Sequence, residues 1–426
     1  MARSLAKDSI PTGWKYDLLD KFATRCSGHT PSKSFPEYWD GGIKWISLAD
    51  SFRLDRGYVY ETDKEISEAG IANSSAELHP AETVVLSRDA GIGKSGVMAV
   101  PMAVSQHFIA WKCDNTEKLN SWFLYNWLQL NKAEFERQAV GSTIKTIGLP
   151  YFKKLKIAVP PYTEQKKIAQ ILSTWDKAIT TTEQLLYNSQ QQKKALMQQL
   201  LTGKKRLLDK NGVRFSGEWK EYNLEDVFSF KKGKGLSKAD LSEDGTNKCI
   251  LYGELYTRYS EVVKTVHSRT NQTDGTPSVS GDILIPSSTT TSGIDLANAT
   301  AILEDNVLLG GDINILRAKK KISASFFAHL LTHIKKHEIA SRAQGITIIH
   351  LYSSDLKDIK IFIPSELIEQ QKITAVLSTA DQEITALQQK LETLKQEKKA
   401  LMQQLLTGKR RVQLNEQNSK VITYGN

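Results

Sequence analysis

The sequence KKALMQQLLTGK fills positions 193–204 and returns unchanged at positions 398–409, 205 residues later. With the same spacing, 164–204 and 369–409 are identical at more than half of their positions, and Trp14-Lys15 recurs as Trp219-Lys220. The chain has 426 residues, which is too long for one ordinary domain. The repeat therefore predicts two units related by a pseudo-twofold, each large enough for its own core.

Apolar side chains recur in both repeated segments at alternating spacings of four and three residues. Such a 3.5-residue period predicts a coiled-coil seam, and two seams of matching length favour antiparallel partner helices over two helices packed separately on their own domains. Gly203 and Gly408 are expected to end the helices. The predicted seam consists of Ile168, Leu172, Trp175, Ile179, Leu186, Leu196, Leu200, Ile373, Leu377, Ile384, Leu387, Leu391, Leu394, Leu401 and Leu405.

The remainder of each half has short apolar runs bounded by turn residues, which predict strands at 83–86, 156–159, 283–285 and 360–363. Helices are expected between them, at 121–130 and 323–333. The pattern predicts a mixed α/β (α+β) fold in which two globular domains are separated by two long antiparallel coiled-coil helices. The predicted order is domain 1–160, helix and linker 161–215, domain 216–364, helix 365–412 and C-terminal tail 413–426.

The net charge of +10 points towards nucleic acid, but its distribution is uneven. Residues 1–160 carry 20 Lys and Arg against 18 Asp and Glu, and 216–364 carry 18 against 18, so the excess lies around the repeated helices. Near-neutral domains do not suit a protein that grips phosphates without sequence preference. If the chain binds DNA, we expect base contacts or partner subunits to supply much of the affinity.

Cellular location and redox state follow from the absence of other signals in the sequence. The first residues, MARSLAKDSI, lack the apolar core of a signal peptide, and apolar runs are too short to span a membrane. Three scattered cysteines give neither a disulfide framework nor a zinc spacing. We expect a cytoplasmic protein with reduced cysteines.

Three strings resemble the specificity subunit of type I restriction-modification enzymes. They are TPSKSFPEYWDGGIKWISLADS at 30–51, VVLSRDAGIGKSG at 84–96 and GSTIKTIGLPYFKKLKIAVPPYTEQKKIAQIL at 141–172, and KKALMQQLLTGK resembles the helix end of that family. The resemblance covers essentially the whole chain, although the second domain lacks a counterpart of YWDGG.

The resemblance implies a bacterial or archaeal protein whose two target recognition domains each recognise half of a split, asymmetric DNA site through the major groove. It implies helices that set the distance between the half-sites and dock two methyltransferase subunits, which two restriction-translocase subunits join. S-adenosylmethionine, ATP and Mg²⁺ would then belong to those partners, with no cofactor in this chain.

A catalytic apparatus is not evident in the sequence. The Pro160-Pro161 pair follows Val159, so the polar residue of an adenine methyltransferase motif is missing. His333 and His337 are four residues apart but lack the accompanying glutamate of a zinc-binding helix. We therefore predict no catalytic residue, no metal ligand and no enzymatic activity of the chain alone.

Candidate DNA-contacting residues are those with side-chain donors on expected loops. In the first domain they lie in a glycine-containing Arg/Lys loop and two flanking patches, and a mobile surface turn is the competing reading of that loop. In the second domain a Lys-Gly loop and a Ser/Thr loop occupy comparable places, so the two half-sites should differ. The candidates are Thr30, Ser32, Lys33, Tyr38, Arg88, Gly91, Lys94, Ser95, Ser142, Thr143, Lys145, Lys231, Lys232, Lys234, Tyr252, Arg258, Ser287, Ser288, Thr289, Thr290 and Thr347.

Two other functions fit the same layout. A stand-alone DNA-binding architectural protein or repressor would bind DNA tightly without enzyme partners. A coiled-coil scaffold would show no salt-dependent DNA affinity in any complex.

Overall fold

A computed structural model describes residues 10–113, 117–141 and 145–413. The chain forms two compact units. Unit 1 comprises Met1–Glu183 and Lys390–Asn426, and unit 2 comprises Gln184–Gln389. Each unit thus combines one mixed domain with the start of one long helix and the end of the other. Within the described residues, no helix has the length and apolarity to cross a membrane.

Unit 1 builds three sheets, with strand orders β2-β9-β6-β7-β4, β5-β3-β8 and β1-β10. The strands are β1 Lys15–Leu18, β2 Thr24–Ser27, β3 Trp39–Ile46, β4 Tyr58–Val59, β5 Lys64–Ile66, β6 Val84–Ser87, β7 Ser95–Met98, β8 Ala103–Val104, β9 Phe108–Lys112 and β10 Lys156–Val159. The helices are α1 Glu68–Ala72, α2 Ser121–Leu130, α3 Lys132–Gln138, α4 Leu149–Lys153 and the long α5 Tyr162–Leu200, which continues into unit 2.

Unit 2 contains sheets of order β12-β20-β16-β18, β14-β13-β19-β15, β11-β22 and β17-β21. The strands are β11 Trp219–Asn223, β12 Phe228–Lys232, β13 Asn247–Ile250, β14 Ser268–Thr270, β15 Thr276–Pro277, β16 Asp282–Pro286, β17 Ser288–Thr289, β18 Thr300–Ile302, β19 Leu308–Leu309, β20 Ile313–Ala318, β21 Ile349–His350 and β22 Lys360–Pro364. The helices are α6 Leu224–Val227, α7 Glu254–Thr257, α8 Ala324–His329, α9 Lys336–Ser341, α10 Ser353–Leu356 and the long α11 Leu367–Leu405, which continues into unit 1.

The mixed α/β fold with two domains and two long helices is confirmed. The strands expected at 156–159 and 360–363 are β10 and β22, and the helix expected at 121–130 is α2. The helix expected at 323–333 is α8 followed by a π-helical turn, Leu330–Ile334. One expectation was wrong in part: Lys231 and Lys232 end strand β12, where they pair with Ile315 and Asn314, so only the residues after them form a loop.

Each apolar core includes side chains from both long helices. In unit 1, Ile168 and Leu172 from the start of α5 and Leu405 from the end of α11 join the cluster around Trp111 and Phe123. In unit 2, the end of α5 and the start of α11 join the equivalent cluster through Leu200, Ile373 and Leu377. All fifteen seam positions are buried or half-buried. The end of one helix therefore completes the core of the domain that precedes the other.

Within each unit the two helix segments run antiparallel, because residues further along one helix pair with residues earlier in the other, as Glu164–Arg411 and Asp176–Lys398 show in unit 1. Lys398 Nζ lies 2.5 Å from Asp176 Oδ1 in unit 1, and Lys193 Nζ lies 2.6 Å from Asp381 Oδ1 in unit 2. These two ion pairs correspond to each other in the repeat, because the two lysines are 205 residues apart and so are the two aspartates. The polar interruptions of the seam at Lys193 and Lys398 are thus ion-pair positions.

An arginine–glutamate ion pair is also present in both units, and it joins the segment after the end of one long helix to the start of the other. Arg206 donates from Nε and Nη2 to both carboxylate oxygens of Glu369, at 2.5 and 2.7 Å, and Arg411 donates in the same way to Glu164, at 2.7 Å each. Both glutamates are almost fully buried. Bidentate pairing is the geometry in which an arginine compensates a carboxylate most completely.

The glycines after the helices turn the chain closely past a tryptophan. Gly203 and Gly408 have φ of +72° and +69°. A β-carbon at Gly203 would lie 3.0 Å from the Trp219 ring, and one at Gly408 would lie 2.2 Å from Pro11. The repeated Trp and the repeated Thr-Gly-Lys are therefore two sides of one packing motif, present once in each unit.

Replacing Arg206 by alanine should destabilise unit 2, because it leaves the Glu369 carboxylate buried without its counter-charge. We expect a loss of about 3–5 kcal/mol in the free energy of unfolding. The control is Lys360→Ala, which breaks a solvent-exposed pair with Glu221 and should leave the free energy of unfolding nearly unchanged. Urea denaturation followed by circular dichroism measures both, and equal effects would contradict a special role for the buried pair.

Candidate nucleic-acid interface

Three distant stretches of unit 1 meet where three adjacent strands end. Ser27 of β2, Ser87 of β6 and Phe108 of β9 lie at the same end of their sheet. The loops that leave these strands therefore converge there, and residues 145–147 join them. We call residues 28–33, 87–94, 105–107 and 145–147 the first loop cluster. Most of the first-domain candidates lie in it.

Arg88 holds the first loop cluster together. Its Nε donates to the Ile147 carbonyl at 3.0 Å and its Nη1 donates to the Gln106 carbonyl at 3.2 Å. The next residue, Asp89, contacts His107 Nδ1 at 2.5 Å and accepts from the Thr146 hydroxyl. The loop predicted to contact DNA is thus fixed by side chains, and much of the hydrogen-bonding capacity of Arg88 is used inside the protein.

A small basic pocket opens beside this loop. It has a volume of about 270 Å³ and is lined by Gly91, Ile92, Lys94, Lys132, Glu136 and Lys145. Three lysines face one glutamate, so the pocket carries an excess of positive charge. Lys94 Nζ lies 3.2 Å from the Ser51 carbonyl and hydroxyl, and Lys132 pairs with Asp55 at 2.6 Å, whereas Lys145 is exposed. Lys145 is consequently the lysine most available to a phosphate.

The candidates at 30–33 belong to this cluster, and Tyr38 lies outside it. The Thr30 hydroxyl donates to the side-chain oxygen of Gln106, which places Thr30 next to the Arg88 contacts. Ser32 and Lys33 are exposed. Tyr38 is half-buried, with its ring 5.0 Å from that of Phe35.

Unit 2 repeats the same strand arrangement with other side chains. Lys232 ends β12, Pro286 ends β16 and Ile313 begins β20, again at one end of adjacent strands. Residues 344–350 close a loop beside them, because Ser288 and Thr289 pair with His350 and Ile349. We call residues 231–235, 287–293, 312 and 344–350 the second loop cluster.

Backbone hydrogen bonds show which positions correspond. Arg88 N–H donates to the His107 carbonyl and its own carbonyl accepts from Ile147. In unit 2, Ser287 N–H donates to Asp312 and its carbonyl accepts from Leu351. Ser287 therefore stands in the place of Arg88. A long cationic side chain in one domain is replaced by a small hydroxyl in the other.

The second loop cluster exposes hydroxyls and apolar groups. Thr290 and Thr347 are exposed, while Thr291 and Ser292 are turned towards Asp295. The hydrogen bond from Thr291 is the main reason why the pKa of Asp295 lies below its ordinary value. Ile346, at the tip of 344–350, is 99% exposed. Lys231, Lys232 and Lys234 are exposed, and Lys234 pairs with Asp274 at 3.1 Å.

Several sequence candidates are poorly placed for contact with DNA. Ser95 is fully buried in β7 and accepts from Gln129, and Ser287, Ser288 and Thr289 are also buried. We leave these four out of the proposed contact set, because their hydroxyls face the protein interior. Tyr252 packs against an apolar cluster, and the exposed Arg258 pairs with Glu254. Ser142 and Thr143 lie outside the described residues.

Sequence reasoning missed Lys132 and Ile346. Lys132 begins a short helix 38 residues after Lys94 and reaches the same pocket only through the fold. For Ile346, the Gly-Ile-Thr-Ile order at 345–348, with two isoleucines beside a glycine, is a usable signal for exposure at a turn.

Comparison with known proteins defines the class. The family model described as "Type I restriction modification DNA specificity domain" matches residues 11–188 and 216–396. The chain therefore belongs to the family of type I restriction-modification DNA specificity proteins. Members of this family are the non-catalytic, DNA-recognition components of their systems, and that is the class of this chain.

Curated relatives agree over long stretches. The specificity subunit of the type I restriction enzyme MjaVIII from Methanocaldococcus jannaschii is 24% identical over 430 aligned positions, which cover 95% of this chain and 94% of that protein. The EcoR124I/EcoR124II specificity subunit from Escherichia coli is 29% identical over 170 positions, covering 38% of this chain and 40% of the relative.

Solved structures share the fold. The type I restriction-modification S subunit from M. genitalium superposes with a TM-score of 0.56 at 17% identity, covering 94% of this chain and 97% of the other. The HsdS subunit from Thermoanaerobacter tengcongensis gives 0.52 at 15% identity, with 94% and 98% covered.

Lys145→Ala should weaken DNA binding by the assembled complex without changing which sequence is preferred, because a lysine that contacts phosphate carries no base information. We expect the plot of log K against log salt to become less steep by about 0.9 for one lost phosphate contact. Lys21→Ala, which removes another exposed lysine of unit 1, is the control. Equal slopes for Lys145→Ala and the unmodified protein would contradict this role.

Proposed function

We propose that the first and second loop clusters each recognise one half of a bipartite, asymmetric DNA site through the major groove. Recognition of two unequal half-sites requires two domains of similar fold that present different side chains to the DNA. The observation that supports this most is that equivalent strand ends carry different exposed side chains, Lys145 in unit 1 and Thr290 and Thr347 in unit 2. A lysine offers a positive charge to phosphate or guanine, whereas the exposed threonines of unit 2 offer hydroxyls and methyl groups.

The duplicated helices suit a different role in the same proposal. Their ion pairs and closing glycines are kept in both units, whereas the loop clusters differ, so the helices offer two equivalent surfaces and the loops two distinct ones. Two methyltransferase subunits would dock on the equivalent surfaces, and the helices would set the spacer between the half-sites. Each mixed domain, 1–160 and 216–364, would act as one target recognition domain.

The chemistry of the complex would belong to its partners. Two methyltransferase subunits would bind S-adenosylmethionine and methylate adenine, and two restriction-translocase subunits would use ATP and Mg²⁺. The complex would act in the cytoplasm of a bacterium or archaeon. The chain itself would select the DNA sequence on which both activities operate.

The first test is methylome sequencing of the host with and without this chain. Loss of a single split adenine-methylated motif is expected. An unchanged methylome would contradict the proposal. Tight DNA binding by the purified chain without any effect on methylation would instead favour the stand-alone DNA-binding protein, and the absence of salt-dependent DNA affinity in every complex would favour the scaffold.

A sharper test separates the two half-sites. Thr290→Val with Thr347→Ala should relax base preference in one half of the motif by about 5-fold, the lower end of the range for a bidentate base contact because a hydroxyl donates a single hydrogen bond, and leave the other half unchanged. Thr257→Val, in the exposed helix α7, is the matched control. Methylation of a randomised DNA library measures both halves at once. Relaxation of both halves together would show that the units do not recognise separate half-sites.

A further inference from the structure

Three potential metal ligands from distant parts of the sequence meet in unit 2. They are Glu261, His329 of α8 and Asp381 of α11, and their ligand atoms all lie within 4.8 Å of one another. Glu261 lies between α7 and β14, where its carbonyl accepts from Ala301 of β18, so the three side chains come from three separate elements. Two carboxylates and one imidazole form a donor set suited to a divalent transition-metal ion.

The imidazole of His329 is oriented as in a metal-binding histidine. The side chain is 3% exposed, and its Nδ1 lies 2.8 Å from the Ser325 carbonyl, which can only accept. Nδ1 therefore carries the proton, and Nε2 presents a lone pair. That Nε2 is buried without a hydrogen-bond partner among the described residues. A ligand histidine whose other nitrogen donates to a backbone carbonyl is the usual arrangement around protein-bound metals.

The carboxylates are also supported from outside the cluster. His333 Nε2 lies 2.5 Å from Glu261 Oε1, which holds that carboxylate in place. Asp381 contacts Lys193 Nζ through Oδ1 and has a second oxygen to offer an ion. The two carboxylates thus lie beside the unpartnered Nε2 of His329.

Unit 1 provides an internal comparison in which the cluster is missing. The Asn120 N–H before α2 donates to the Gln165 side chain, and the Ser323 N–H before α8 donates in the same way to Gln370. Asn126 and His329 each lie six residues after these positions, so they correspond to each other. Asn126 likewise bonds the carbonyl four residues before it. Gly57 corresponds to Glu261, because the backbone carbonyl of each accepts a hydrogen bond from the neighbouring strand, β7 in unit 1 and β18 in unit 2. The Gly57 N–H donates to the Tyr125 hydroxyl. Only the aspartate and lysine of the helices are shared.

We propose that Glu261, His329 and Asp381 bind one divalent transition-metal ion, with zinc as the simplest case, and that this ion fastens the second domain to helix α11. Zinc lies about 2.0–2.2 Å from such ligands, which places them about 3.4 Å apart, so small side-chain rotations complete the site. The site is specific to unit 2, and it goes beyond the proposed recognition of DNA without depending on it.

Another group, Cys26, Glu77 and His79 in unit 1, has ligand atoms equally close together. It lacks the supporting contacts of the first: both ring nitrogens of His79 are without a partner among the described residues, and Glu77 is largely exposed and paired with Lys112. We do not propose it as a site, but it must be controlled for in the experiment.

The test is calorimetric titration of zinc chloride into the full chain after treatment with a chelator. We expect saturable binding of one zinc ion at this site. His329→Asn should weaken binding by more than about 10-fold, because it removes the ligand nitrogen yet keeps the hydrogen bond that Asn126 makes in unit 1. Glu261→Gln should weaken it similarly while keeping a partner for His333. Excess zinc should raise the Tm of the unmodified chain by about 5 °C and leave the Tm of His329→Asn and of Glu261→Gln nearly unchanged.

Two control variants locate the ion. His350→Asn, in β21, should bind zinc as the unmodified chain does, and so should His79→Asn, which disables the group in unit 1. Saturable binding that is unchanged by both His329→Asn and Glu261→Gln would overturn the proposal. So would an absence of saturable binding, or a loss confined to His79→Asn. Because the readout is zinc binding and stability, failure here leaves the proposed DNA recognition standing.

Discussion

Two buried carboxylates, Glu164 and Glu369, organise the architecture of this chain. Each lies at the start of a long helix and is neutralised by an arginine that follows the end of the other one. A buried carboxylate without its partner is costly, so neither mixed domain can be completed by the helix that follows it alone. The same constraint acts on the apolar cores, where Leu200 and Leu405 fill space in the domain that precedes the opposite helix.

This arrangement explains why the duplication is strong in some places and weak in others. Residues that join the helices to the cores must satisfy the same contacts twice, as the Lys193–Asp381 and Lys398–Asp176 pairs do. The loop clusters carry no such obligation, since they leave the strand ends towards solvent. Arg88 and Ser287 occupy equivalent backbone positions with opposite chemical character, and the proposed metal ligands Glu261 and His329 replace Gly57 and Asn126. Divergence is thus concentrated away from the contacts that join the long helices to the cores.

Much of the fold could be predicted from the sequence because it depends on local periodicity. The seam spacing predicted the long helices, the glycines at 203 and 408 predicted their ends, and the repeat predicted the number of domains. The site was less predictable. Solvent exposure separates Thr290 from Ser288 two residues earlier, yet both belong to one run of hydroxyl residues, and the pocket lysine Lys132 belongs to a helix that no motif connects to Lys94. Histidine spacing likewise suggested no metal ligand, because Glu261, His329 and Asp381 are far apart in the chain.

The sequence by itself determined the family, the two-domain mixed fold and the paired helices, since repeats and heptads are properties of neighbouring residues. Only the tertiary structure decided that each compact unit includes the end of the long helix from the other repeat. It also decided that the Arg88 side chain holds neighbouring loops together, and that His329 meets Glu261 and Asp381. Burial, hydrogen-bond partners and charge neutralisation arise between residues far apart in the chain, and no local pattern encodes them.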